Sequence, residues 1–290
     1  MPNLAALPTD IHVHIQPWDM MNPRAFETIR ENREDFPLIE RLMGDPKALV
    51  AWLDEIGLGR VALINYVAPD VMGFTHEVNP WAARYRDAAE GRVIGFGGVH
   101  PPACDDVKDM MRRVVEEWRL DAIKIHPPHQ GLSPDAYRTG ECPELEHVYG
   151  ACSDAGLPIM FHTGTSVFPG ARSRLGRTLV IDDVAVDFPD LKIILAHAGR
   201  PLWMDEAFFL LRRHPNVYID VSGIPPKRLL QYLPRLAEVS HKALFGTDWP
   251  SPGVKDLKRN LDQIRALALP EDAIDRIVRK NALDLFPIPS

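Results

Sequence analysis

Eight short apolar runs recur along the chain, and they constrain its fold more than any other feature. They are Ile11–Ile15, Arg60–Tyr66, Val93–Val99, Ala122–His126, Pro158–His162, Lys192–His197, Val217–Val221 and Ala243–Gly246. Their shortness and their content of Val and Ile match buried strands. Polar loops and amphipathic stretches separate them. The clearest of these stretches places Val107, Met110, Met111, Val114, Val115 and Trp118 on one helical face behind Asp105-Asp106, acidic residues suited to a helix N-terminus. Another runs from Pro201 through Arg213 to a stop at Pro215, and Trp81, Tyr85, Ala88 and Ala89 mark a third. Strands alternating with helices predict parallel βαβ units with right-handed crossovers. Eight such units predict a (β/α)8 TIM-type barrel, one domain spanning 1–290. An open doubly wound sheet is the competing architecture, but no GxGxxG follows the first run. One segment, 16–44, breaks the rhythm. It carries Trp18, Met20, Met21, Phe26 and Phe36 amid charges, and its length predicts a lid or substrate loop.

Composition narrows the function classes. With 290 residues and 46% hydrophobic content the chain can bury a large core without disulfide staples. Its 33 basic and 40 acidic residues give a net charge of -7, which disfavours a nucleic-acid or anionic-membrane partner. No apolar run approaches the roughly 20 residues of a membrane helix. Cys104, Cys142 and Cys152 form no CxxC, and Met1–Pro8 shows no leader pattern, so the expectation is a reduced, cytoplasmic protein.

Histidine placement points to chemistry. Of 11 histidines, His14, His126, His162 and His197 end expected strands, His12 lies two residues before one tip, and His100 follows another. In a barrel all these tips face one end, where active sites are built. His147, His214 and His241 fall on helices or helix ends and read as surface or capping groups, whereas His76, after the second strand, is a candidate for substrate contact. Residues two apart on a strand share a face, so Asp10, His12 and His14 point one way and Ile11, Val13 and Ile15 the other. His162, His197 and Asp248 each terminate a further apolar strand. Imidazoles and one carboxylate suit zinc with an open coordination position, and manganese or iron accept the same donors.

Five motifs carry a resemblance: Asp10-Ile-His12-Val-His14, Ile123-Lys124-Ile125-His126-Pro127, Phe161-His162-Thr163-Gly164, Ala196-His197-Ala198-Gly199 and Phe245-Gly246-Thr247-Asp248-Trp249-Pro250. With the connecting segments Phe188–Ile193 and Asn216–Asp220, they run in order over about residues 10 to 250. The chain resembles the amidohydrolase superfamily, and within it the amidohydrolase-related branch that includes aminocarboxymuconate semialdehyde decarboxylase. That resemblance implies one divalent metal ion, zinc first and manganese, iron or magnesium as alternatives, held by His12, His14, His162 and Asp248. It implies Asp248 and His197 as catalytic residues, the latter hydrogen-bonding the water or substrate. Lys124 has two readings. In binuclear relatives a carboxylated lysine bridges two metals there; otherwise it is an ammonium that holds a substrate carboxylate or a loop. His126 reads as a ligand, a substrate contact or a partner behind the ligands. Arg172, Arg174 and Arg200 follow strands five and six and could clamp a carboxylate, with Arg200 the substrate-binding candidate alongside Lys124 and His126. Asp220 and Ser222, at the end of strand seven, read as possible support for the ligands.

The expected function is a metal-dependent hydrolase acting on a C–N or C–O bond, amide or lactone-like, of a small carboxylate-bearing molecule. The alternative is a metal-dependent non-oxidative decarboxylase. A barrel serving only as a binding module would lack a ligand residue, and none is missing. Relatives of this kind often dimerise, so a homo-oligomer is expected.

Overall fold

All eight apolar runs form strands in the computed structural model, which describes residues 2–31 and 33–288; positions 1, 32, 289 and 290 of the expected domain lie outside the described residues. The strands are β1 Thr9–Val13, β2 Arg60–Leu63, β3 Val93–Gly97, β4 Ala122–Ile125, β5 Ile159–His162, β6 Ile193–Ala196, β7 Val217–Asp220 and β8 Ala243–Leu244. Each pairs in parallel with the next in sequence. The ring closes where the amide of Ile11 donates to Phe245 O (3.0 Å), Asp248 N to His12 O (2.8 Å) and His14 N to Trp249 O (2.8 Å). The chain is therefore the (β/α)8 barrel that the strand count predicts. Nearly every strand residue is buried, as a sheet sandwiched between a filled interior and an outer ring of helices requires.

Local register matters at one place. Asp10 and Val13 of β1 face Val61 and Leu63 of β2, so three steps on one strand oppose two on the other. This bulge re-aims side chains at the barrel rim, where both β1 histidines emerge.

The helical expectations hold with adjusted limits. The Val107 stripe forms the helix Val107–Arg112 and then a wider π turn, Arg113–Glu117, burying Val107, Met111 and Val114. Asp106 caps it by accepting from the amides of Lys108 and Asp109. The third stretch is the helix Val78–Ala88. The helix expected from Pro201 begins only at Met204, after a turn in which Trp203 N donates to Gly199 O. No helix among the described residues is long and apolar enough to cross a membrane.

Segment 16–44 is more ordered than a loop. It holds a single turn at Trp18–Met20 and the helices Pro23–Arg30 and Phe36–Gly44. Asn22 caps the first of these, accepting from Ala25 N at 2.9 Å, and Pro23 occupies the first helical position. The rings of Trp18, Phe26 and Phe36 pack at 5.8–6.1 Å between centroids, a small core that explains the aromatic content. Helices of eight and nine residues are too short to show a clear period in sequence.

A part-buried ionic latch ties this segment to the loop after β8. Arg33 donates to Pro250 O (2.7 Å) and Val254 O (3.1 Å) and forms a two-point pair with Asp35 (2.9 and 2.7 Å). Asp35 also accepts from the Trp249 indole at 3.0 Å. Burial opposes the charge of Asp35, but the bonds from Arg33 and Trp249 prevail and hold its carboxyl below the ordinary range. Arg33→Met deprives Asp35 and two carbonyls of their donor. It is expected to cost roughly 2 kcal/mol, read as a lower urea midpoint at unchanged slope. An unchanged midpoint contradicts the latch.

Candidate active site

The C-terminal ends of the strands open into a cavity. His12, His14, Lys124, His126, His162, His197, Arg200 and Asp248 all line it, so every site residue expected from sequence converges on one chamber. The other candidates do not. His76 and His100 meet each other elsewhere, His100 N donating to His76 Nε2 at 3.3 Å, and burial lowers the pKa of His76 to about 4. Arg172 and Arg174 are absent from the cavity wall, and His214 engages Asp182 at 2.7 Å on the outer helices.

Beneath the histidines lies a polar platform. Asp220 is fully buried and accepts from the amide of Ser222 (2.6 Å), from Ser222 Oγ (2.8 Å) and from Nδ1 of His12. Ser222 Oγ also lies 3.1 Å from His12 Nδ1 and 2.9 Å from His197 Nδ1. The Nδ1 of His197 donates to Ser222 O at 3.2 Å. Both rings thus use Nδ1 on the platform and turn Nε2, with its lone pair, to the cavity. Orientation of this kind is what metal-binding imidazoles need from their surroundings. Gly246 makes the platform possible: a Cβ there would sit 2.5 Å from Asp220 Oδ1 and 2.8 Å from His12 Cβ.

Asp248 completes the group. Its Oδ1 lies 3.0 Å from His14 Nε2 and 3.5 Å from His12 Nε2, and it accepts from Ser251 Oγ at 3.0 Å. Donor atoms of His12, His197 and Asp248 fall within 4.8 Å of one another. His162 stands beside them, its ring 4.7 Å from that of His197. The Nε2 atoms of His12 and His162 are buried without any hydrogen-bond partner. Orphaned lone pairs beside a carboxylate are a costly arrangement unless a cation completes them. The residues therefore fit a divalent ion, and the mixed nitrogen and oxygen donors suit zinc, manganese or iron.

Protonation agrees with that fit. Burial first, and neighbouring cationic groups second, hold His12, His162 and His197 well below the usual imidazole range, so they are neutral and ligand-competent at neutral pH. Burial alone would raise the carboxyl of Asp248, but the His14 hydrogen bond and the nearby His12, His14 and Arg200 hold it well below the ordinary range. Burial pushes Asp220 up to about 6, which leaves it ionised at neutral pH, and Asp10 up to about 7. Lys124 is fully buried with no partner for Nζ, and burial lowers it to about 8.

His126 has a narrower role than its sequence position allows. Its Nδ1 faces the amide of His129 at 3.4 Å, which assigns the ring proton to Nε2. A ring protonated at Nε2 donates a hydrogen bond and does not ligate. Its face stacks on His162 at 3.8 Å and on His129 at 3.4 Å. His129 and Tyr66 were not foreseen. His129 is held at both ring nitrogens, by Tyr66 Oη (3.0 Å) and Ser166 Oγ (2.8 Å), and forms a cavity wall. The available signal was Pro127-Pro128 after the β4 tip, which turns the chain back and brings His129 over the strand ends. From segment 16–44, Gln16, Trp18 and Ile29 reach the same cavity.

The backbone adds one more local feature. His197 and Asp248, neither of them glycine, adopt left-handed φ values of 64° and 68°. Such conformations cost about 1–3 kcal/mol each and persist where surrounding contacts fix them.

A sequence profile described as Amidohydrolase matches residues 9–288. The chain belongs to the amidohydrolase family. Among solved structures, an uncharacterised TIM-barrel protein from Bordetella bronchiseptica is similar at 19% identity and TM-score 0.74, covering 96% of this chain and 97% of that one. Dihydroxybenzoic acid decarboxylase from Polaromonas sp. JS666, with manganese and the inhibitor 2-nitroresorcinol bound, is similar at 18% identity and TM-score 0.68, covering 96% of each chain. A probable 2-pyrone-4,6-dicarboxylic acid hydrolase from Acinetobacter baumannii, with citric acid bound, is similar at 15% identity and TM-score 0.66, covering 96% and 98%. At these identities the likeness is one of fold. A search of curated proteins matches none by sequence.

This amidohydrolase's platform has a testable consequence. Ser222→Ala and Asp220→Asn remove partners of His12 and His197, and are expected to weaken divalent-metal affinity by roughly 10–100-fold. Competition with a chromogenic chelator measures it, with circular dichroism checking the fold. Unchanged affinity in both variants contradicts the platform's role.

Proposed function

We propose that this amidohydrolase is a metal-dependent hydrolase of a small carboxylate-bearing molecule, cleaving an amide or lactone-like bond. One divalent ion, zinc in the first place, would be held by His12, His14, His162 and Asp248. The observation that carries the reading is the ionised carboxylate of Asp248, held by Ser251 and lying with the neutral imidazoles of His12 and His197 in one group of donors within 4.8 Å. A bound divalent ion supplies Lewis acidity to the attacking water and to the scissile carbonyl.

The remaining work falls to the chain. Asp248 accepts the proton of the attacking water and passes it to the leaving group, a general base and then a general acid. His14 Nε2 lies 3.0 Å from the Asp248 carboxylate, so the two donors stand side by side for the ion. His197, locked at Nδ1 by Ser222, presents Nε2 to the reacting centre and steadies charge that develops on the substrate oxygen. His126 donates from Nε2 to a substrate acceptor. Arg200 and Lys124 have unpartnered nitrogens in the cavity and suit a substrate carboxylate. Segment 16–44 serves as the lid wall, contributing Gln16, Trp18 and Ile29.

Those same unpartnered cations support a second reading, non-oxidative decarboxylation. A substrate carboxylate held between Lys124 and Arg200 would be placed for loss as carbon dioxide, the electron pair left on carbon taking up a proton from solvent. Lys124 as a carboxylated bridge between two metals has less support, because its Nζ is enclosed without a second cluster of ligands among the described residues. The decarboxylases among the structural neighbours belong to the same architecture, so fold does not choose between the reactions.

Elemental analysis of protein purified without chelator is expected to find about one divalent ion per chain, and His14→Ala to abolish it. No metal after reconstitution contradicts the centre. His197→Asn is expected to retain metal while lowering kcat by roughly 10²-fold or more, the scale of acid–base and oxyanion effects. Loss of the metal in that variant would make His197 a ligand. Screening pyrone, lactone, amide and hydroxybenzoate acids for acid release or carbon dioxide release separates the two reactions.

A further inference from the structure

A second, open chamber adjoins the first and shares Arg200, Asp248 and Pro252 with it. Its wall carries four cations, Arg200, Lys227, Lys255 and Arg259. None forms an ion pair among the described residues, and no side-chain hydrogen bond holds any of them. Two carboxylates share the wall, and both are already engaged. Asp248 faces His14 and Ser251, and Asp256 accepts from Arg259 N at 2.9 Å to cap the helix Leu257–Arg265.

This concentration runs against the charge of the whole chain. The protein has a net charge of -7, whereas this wall carries four cations against two carboxylates. Such an excess of cations around one concavity focuses a positive potential into it. Ile224, Pro225 and Val254 add apolar surface to the same wall. Gly223 leaves the space that the Arg200 guanidinium occupies: a Cβ there would lie 3.0 Å from Nη2, on a backbone already at φ +64°. Arg200 thus stands at the boundary between the chambers, with its Nε buried and unpartnered.

We propose that the second chamber is an anion-binding extension of the active site. The substrate carries a second acidic group, carboxylate or phosphate, that Lys227, Lys255 and Arg259 hold while its reacting end lies among the histidines. The apolar surface of the wall faces the carbon skeleton between the two ends. This rests on the first cavity being the reaction centre, but its test reads binding and not turnover, so a wrong reaction class leaves the result intact.

Calorimetry at low salt with butyrate, the α,ω-dicarboxylates from glutarate to suberate, and 3-phosphonopropionate tests it on the metal-loaded full chain. At least one two-ended anion is expected to bind about tenfold more tightly than butyrate, the scale of a few exposed charge contacts. The preferred end group tells carboxylate from phosphate. In the triple variant K227Q/K255Q/R259Q, whose changes lie on exposed side chains, that advantage is expected to vanish while butyrate affinity holds. Raising the salt to about 1 M is expected to erase it in the parent protein too, because charges are then screened beyond about 3 Å. Two-ended anions that bind no better than butyrate, or a triple variant that keeps the advantage, overturn the proposal.

Discussion

The buried carboxylate of Asp220 is the constraint on which the site depends. It lies at the end of β7 with no solvent, and burial alone works against its charge. Three donors, the amide and hydroxyl of Ser222 and the ring of His12, make the anion tenable. In return the anion decides which nitrogen of His12 is protonated. Ser222 transmits the same decision to His197. Two imidazoles from opposite sides of the barrel therefore present unprotonated Nε2 atoms to one space, before any ligand arrives.

Barrel closure brings the rest. β1 and β8 come from opposite ends of the chain, and the hydrogen bonds between them set Asp248 against His12 and His14. Asp10 reinforces that seam by accepting from the amide and hydroxyl of Thr247 at 3.0 and 2.7 Å. Contacts so numerous can hold Asp248 in a left-handed backbone conformation that an isolated loop would relax. The Arg33–Asp35 latch adds a tie on the far side of the same loop, through Trp249 and Pro250. Segment 16–44 is thus joined both to the cavity wall and to the loop that carries the aspartate.

The two chambers divide the electrostatic work. The first is lined by neutral imidazoles around one anion, with Lys124 and Arg200 as its free cations. The second is dominated by positive charge. A fold that hosts both hydrolases and decarboxylases leaves the choice of substrate to such loop-borne groups.

Much of this was legible in the sequence. Eight apolar runs with helical spacers imply the barrel, and strand-end residues must gather at one rim, so His12, His14, His162, His197 and Asp248 could be named together. Period-two alternation also placed Lys124 and His126 on one inward face. What the sequence could not decide depends on contacts between residues far apart in the chain. Asp220 and Ser222 stand out only as strand-end support for the ligands; that they hold the Nδ1 of His12, some 208 and 210 residues away, is decided by tertiary contact. His129 reaches the cavity only because a proline turn folds it back, and segment 16–44 shows its helices only once its aromatic residues have something to pack against. The cationic chamber likewise joins loops after β6, β7 and β8. Residue type and spacing determined the fold and which side chains gather at its rim, since both follow from local periodicity. Tautomers, depressed and raised pKa values and the grouping of charges were decided by the tertiary structure, because burial and hydrogen-bond partners exist only after the ring has closed.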